Sequence, residues 1–252
     1  MGIGFDPRRP VSVLLGAMLL GIVAGLVTAA YLSVTGEPAI EEANAAAAAG
    51  QGGAPGHQGE EEPEVSREVQ RGAGLFGGYA LSGAAFGGIF GVTFLALRKR
   101  VPRVASRAVV TGAVLAGAIT ISPWLKYPPN PPAVGDPATL AERQTLYVAV
   151  IVLTLVVLVA AAQLASRLRA AGWVDDQRLA LVVAAVVIPM GVIYALMPPP
   201  SDEIAVPATL LWRFRIASLA GNLLLWAVLA LGFALLAAAA ERRSRAGVLA
   251  DL

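Results

Sequence analysis

Six stretches of the chain carry no Asp, Glu, Lys or Arg, and each is long enough to cross a bilayer: 10–36, 72–97, 108–125, 144–166, 179–201 and 216–240. The hydrocarbon core is roughly 30 Å thick and a helix rises about 1.5 Å per residue, so about 20 mostly apolar residues span it. No soluble fold needs six such runs. The expected fold is an all-α polytopic membrane protein of six transmembrane helices, at about 11–34, 72–97, 105–123, 144–166, 179–197 and 214–240.

Composition agrees. Hydrophobic residues make up 57% of the 252 and charged residues 14%, against roughly 25% charged in a soluble domain. A single membrane domain accounts for nearly all of the chain. There is no Cys and one His, His57. Disulfides, thiolate metal sites and thiol chemistry are thereby removed, and the usual proton shuttle is almost absent. No cluster of nucleophile, base and orienting group is visible, so the chain does not read as an enzyme. Nothing suggests a nucleic-acid partner; the lipid bilayer is the expected one.

The first run follows Arg8 and Arg9, as the apolar part of a signal peptide would. Such a part is about 7–15 residues long, whereas Val11 to Val34 is far longer, so a retained helix is expected.

Charge sets the orientation. The N-terminus, second loop, fourth loop and C-terminus hold 13 of the basic residues, and the opposite side holds 6. Lys and Arg near span ends stay cytoplasmic, so both termini are expected inside. An even number of spans agrees. Twelve of the seventeen acids fall on the outer side, eight of them in the first loop. An acidic outer face attracts cations, with salt screening this beyond about 8–10 Å. The expected location is the plasma (inner) membrane of a bacterium or archaeon, as a multi-pass protein.

Small residues mark helix contacts. Gly21 and Gly25 are four apart in the first span, while Gly83, Gly87 and Gly91 form one stripe of the second. Gly74, Gly78 and Ser82 form another, so the second span should be packed on two sides. The segment 36–65 reads as a flexible acidic loop, disordered from Gly50 to Glu62, where no apolar periodicity exists. Glu64–Arg71 reads as a short amphipathic helix with Ser66 as its cap. Pro123 should end the third span early, and Pro189 should kink the fifth. No ionisable residue lies in the middle of a span, and Gln163 and Asn222 are the only amides well inside. Asn222 is the best candidate for a path-facing side chain; an interhelical hydrogen bond is the plainer alternative.

The third loop, 124–143, holds five prolines and a Gly135-Asp136-Pro137 turn. Proline locks φ and restrains the residue before it, so this outer loop should be rigid, as a vestibule wall or docking surface would be. Lys126, Asp136, Glu142 and Arg143 could simply pair with one another. Arg213 and Arg215, at the start of the last span, point to different helix faces and can snorkel at the interface. Candidate path or docking residues are therefore Lys126, Asn130, Asp136, Glu142, Arg213, Arg215 and Asn222.

Three segments carry a resemblance: Lys126-Tyr-Pro-Pro-Asn-Pro-Pro-Ala-Val-Gly-Asp136, Leu211-Trp-Arg-Phe-Arg-Ile-Ala-Ser218, and Glu64-Val-Ser-Arg-Glu-Val-Gln-Arg-Gly-Ala-Gly-Leu75. In these the chain resembles the predicted cobalt-transporter subunit family CbtA, over nearly its whole length. The resemblance implies a membrane component of a divalent-cation (cobalt) uptake system, acting with a small single-span subunit that has a His-rich tail. Family members often carry several histidines in the loop before the second span. Here that loop has only His57, near Glu60, Glu61 and Glu62. These four are the candidate metal ligands; a solvated acidic tether is the plainer reading, since one imidazole in a flexible loop binds weakly. No resident cofactor is expected, only transient Co2+. The alternative function is a structural or assembly subunit of a larger membrane complex, without transport activity of its own.

Overall fold

The computed structural model describes residues 5–6, 9–51, 66–132, 134–135, 139–199, 204 and 206–250. Every regular element among them is helical. Six helices are long and apolar enough to cross a membrane, as the charge-free runs require. They are α1 (Pro10–Thr35), α3 (Arg67–Lys99), α4 (Val104–Lys126), α5 (Leu140–Ala170), α6 (Asp175–Leu196) and the first part of α7 (Ala208–Ala250). Between α1 and α3 lies a seventh helix, α2 (Glu37–Gln51). The first part of the segment read as a flexible loop is thus helical; the stretch 52–65 lies outside the described residues.

The chain divides into two compact units: residues up to 116 with 130–133 and those from 206 onward, and residues 117–129 with 134–205. In the first unit α1 and α3 meet backbone to backbone. A Cβ on Gly21 would collide with the Gly83 carbonyl oxygen, one on Gly83 with that of Gly21, and one on Gly25 with that of Tyr79. Without water to drive association, such close approach is the main source of attraction between membrane helices. The other stripe does not pack as expected. Gly74, Gly78 and Ser82 are exposed, and no described atom lies near a Cβ built on Gly78.

Helix α7 closes this unit. Thr28 Oγ1 donates to the Gly221 carbonyl at 3.4 Å, and a Cβ on Gly112 would meet Ala230 Cβ at 2.5 Å. Phe90, Phe94 and Phe233 are fully buried, with the Phe233 ring 5.3 and 4.8 Å from the other two.

The second unit is built on the α5–α6 hairpin. Its turn is a Schellman closure: Trp173 N–H bonds the Leu168 carbonyl and Gly172 N–H that of Arg169, both at 3.1 Å. Gly172 has φ +78°, a conformation glycine adopts without Cβ strain. Helix α6 runs unbroken through Pro189, and none of its residues is buried.

Pro123 does not end the third span. The helix continues to Lys126 because residues Ala116–Ile121 form a wide π-type turn just before it. A proline lacks the N–H for the carbonyl four residues back and its ring clashes there; widening the preceding turn accommodates both.

Candidate functional site

The candidate residues are held by the ends of the spans. In the first unit, α2 is fastened along one face. Arg67 Nη2 donates to Glu37 Oε2 at 2.6 Å, Arg71 Nη1 to Glu41 Oε1 at 2.7 Å, and Arg213 Nη1 to Glu42 Oε2 at 3.0 Å. The spacing explains the pattern. Glu37 and Glu41 lie one turn apart on α2, as Arg67 and Arg71 do at the start of α3, so the two rows match. Ser66 caps α3 as expected, accepting from Val69 N at 3.4 Å.

Arg215, two residues beyond Arg213 and on another face, donates from Nη2 to Asn130 Oδ1 at 2.8 Å. The proline-rich loop is thereby tied to the opening of the last span. Two of the segments that carry the family resemblance meet at this bond, and the arginines of the third are among those that hold α2. The two arginines do diverge, each to its own partner, as their spacing demands.

In the second unit Lys126 pairs with no acid among the described residues. Its Nζ donates to the Tyr194 carbonyl at 2.8 Å, in the last turn of α6, where a cation complements the unsatisfied carbonyls and the negative end of the helix dipole. The neighbouring Tyr127 hydroxyl donates to the Pro198 carbonyl at 2.8 Å. Tyr127 is 7% exposed. Burial, and secondarily the Glu142 carboxylate, raise its phenol above the ordinary value. Glu142 itself is exposed. Deeper in the same unit lies a hydroxyl cluster that the residue pattern did not single out. Ser122 Oγ is 2.6 Å from Thr154 Oγ1 and 3.0 Å from the Tyr194 hydroxyl, which donates to the Ser122 carbonyl at 2.7 Å. Thr154 Oγ1 also reaches Met190 Sδ at 3.7 Å. The cluster sits beside the wide turn before Ser122 and Pro123, and beside Pro189. Those two prolines, each followed or preceded by a hydroxyl or thioether in a charge-free run, were the usable clue.

Asn222 Nδ2 donates to the Ser218 carbonyl of its own helix at 2.8 Å. The candidate ligands His57, Glu60, Glu61 and Glu62, and likewise Asp136, lie outside the described residues. Among the described residues no three His, Asp or Glu side chains converge as a metal site would require.

A comparison with curated proteins and with solved structures returns no match. A family model described as "Probable cobalt transporter subunit (CbtA)" matches residues 11–238. That range takes in all but the outermost residues of the six spanning helices, with the proline-rich loop and the arginine pairs just described, and the chain belongs to the CbtA family of probable cobalt transporter subunits.

Proposed function

We propose that this chain is the membrane-embedded component of a cobalt uptake system in a bacterial or archaeal inner membrane, with a small single-span subunit supplying imidazole ligands. The family match over 11–238 carries the reading. Charge supports the orientation: with both termini cytoplasmic, 13 basic residues lie inside and twelve acids outside. The outer face then gathers divalent cations. His57 with Glu60, Glu61 and Glu62 offers a first, weak contact, and Co2+ passes as cargo. With one histidine in the chain, tighter capture of a first-row divalent ion calls for donors from another subunit. Asn130, Arg213 and Arg215 in the first unit, and Lys126 and Glu142 in the second, are the residues offered for docking.

Uptake of labelled cobalt under cobalt limitation tests this. Cells lacking the gene should accumulate several-fold less metal than cells carrying it; equal accumulation would overturn the reading.

A second reading is a structural or assembly subunit without flux of its own. Its supporting observation is that Lys126, Arg213, Arg215 and Asn222 are all engaged in bonds within the fold. Proteoliposomes separate the two: cobalt flux that needs this chain and its partner together supports a transport role, and flux by the rest of the complex alone supports assembly.

A further inference from the structure

The turn joining α3 to α4 places five cations, Arg98, Lys99, Arg100, Arg103 and Arg107, within ten residues. Among the described residues no carboxylate pairs with any of them. Four are exposed. Exposed cations at a span end are explained by topology alone.

Arg107 is different. It is 8% exposed, and its guanidinium lies over the Phe94 ring, 4.3 Å from the centroid. Its Nη2 reaches the Pro102 carbonyl at 3.4 Å, and its Nε is buried without a hydrogen-bond partner. A buried charge without a counterion is costly, and the cost falls when an anion completes the site.

The surroundings suit an anion. Pro102 immediately precedes Arg103, the residue at the N-cap position of α4, so the Arg107 guanidinium sits at the start of that helix. No side chain caps this end and no acid occupies its first turn. The first amides of α4 therefore remain without intrahelical partners, beside the positive end of the helix dipole. The depth is equally specific. The turn lies between the ends of two spans, where cations beside a span end meet the headgroups, and Val109 and Val110 just beyond it are exposed along the apolar part of α4.

We propose that this corner binds the phosphodiester headgroup of an anionic phospholipid. Arg107 and the α4 amides hold the phosphate from the protein side. Arg98 and Arg103 close over it from the aqueous side, and the acyl chains run along Val109 and Val110.

The test uses the purified, delipidated full chain and native mass spectrometry, titrating phosphatidylglycerol against phosphatidylcholine of the same acyl chains. Wild type should prefer phosphatidylglycerol by about tenfold or more, since each cation near an anionic headgroup contributes measurably. Arg107→Gln should bring the two lipids close to parity. The exposed-surface triple variant Arg98→Gln/Arg100→Gln/Arg103→Gln should weaken the preference, while Arg242→Gln/Arg243→Gln, at the far end of α7, should leave it intact. Equal binding of the two lipids by wild type overturns the proposal. So does an undiminished preference in both the Arg107 and the triple variants, or an equal loss in the α7 control. Thermal stabilisation by inorganic phosphate that matches the lipid's would make the ligand a soluble anion and also overturn it. Release of a co-purifying protein from Arg107→Gln with the lipid preference unchanged would make the counterion a partner's carboxylate, which overturns it as well. Should Arg107→Gln fail to accumulate, the triple variant and its α7 control decide the matter.

Discussion

Arg215 and Asn130 are joined by a 2.8 Å hydrogen bond from guanidinium to amide oxygen, across 85 residues of sequence. The bond pins Asn130, in the non-helical stretch 128–132, to the start of a spanning helix. A hydrogen bond to a charged group contributes about 1.5–3 kcal/mol, with the lower end expected for a partly exposed pair. Arg215→Ala and Asn130→Ala should each lower thermal stability in detergent. Their double mutant should cost less than the sum of the two, and strict additivity in the cycle would show that the bond contributes nothing.

The α1–α3 contact makes a sharper prediction. Gly21→Leu or Gly83→Leu drives a side chain into a backbone carbonyl of the facing helix, and overpacking costs roughly 1–3 kcal/mol or more when backbone must move. Folded protein recovered from membranes should fall steeply. Gly78→Ala, with open space around its Cβ, should be recovered like wild type. Size-exclusion profiles of the three variants check this.

Three ion pairs hold α2, and their exposure ranks them. The Glu37 side chain is 13% exposed, against 52% for Glu41 and 53% for Glu42. Exposed pairs are weak, about 0–1 kcal/mol, and are screened by salt. Hydrogen exchange across 37–46 should therefore accelerate in high salt. Glu37→Gln should reproduce that effect at low salt more fully than Glu42→Gln.

Tyr194 ties three helices through Ser122, and Tyr194→Phe removes its bonds while keeping the ring. Polar contacts between membrane helices average about 0.6 kcal/mol and reach about 1.7. A loss of stability in that range is expected. Cobalt uptake measured alongside shows whether the cluster also serves the cargo.

Tyr127 contributes a pH-dependent term of known sign. Its raised value means that the folded state holds the phenolic proton more tightly than the unfolded chain, whose ordinary value is 10.0. The contribution is therefore fully present below about 10 and disappears as pH rises through the higher folded value. The stability gap between wild type and Tyr127→Phe should stay constant from pH 6 to 9 and shrink only in stronger alkali.

The six spans were legible because charge is excluded from hydrocarbon, and that leaves gaps no soluble helix needs. Ser66 was legible because capping is local, and the Gly83 stripe because close approach demands small residues. The second stripe, Gly74, Gly78 and Ser82, shows the limit: small residues permit contact without supplying a neighbour. Helix α2 was hidden by its composition, since an Ala-rich, acidic run lacks apolar periodicity and is ordered through arginines 30 residues away. Lys126 bonds a carbonyl at a helix terminus, a partner with no signature in sequence. Ser122, Thr154 and Tyr194 come from three different helices, so nothing in their spacing announces that they meet.

Where Gly21 faces Gly83, each residue contributes only main chain to the contact. A bulkier residue at one position cannot be relieved by trimming the other, because nothing remains to trim. Genetic suppressors of such a lesion should therefore be absent from the facing helix, and selection for regained function should return true reversions to glycine.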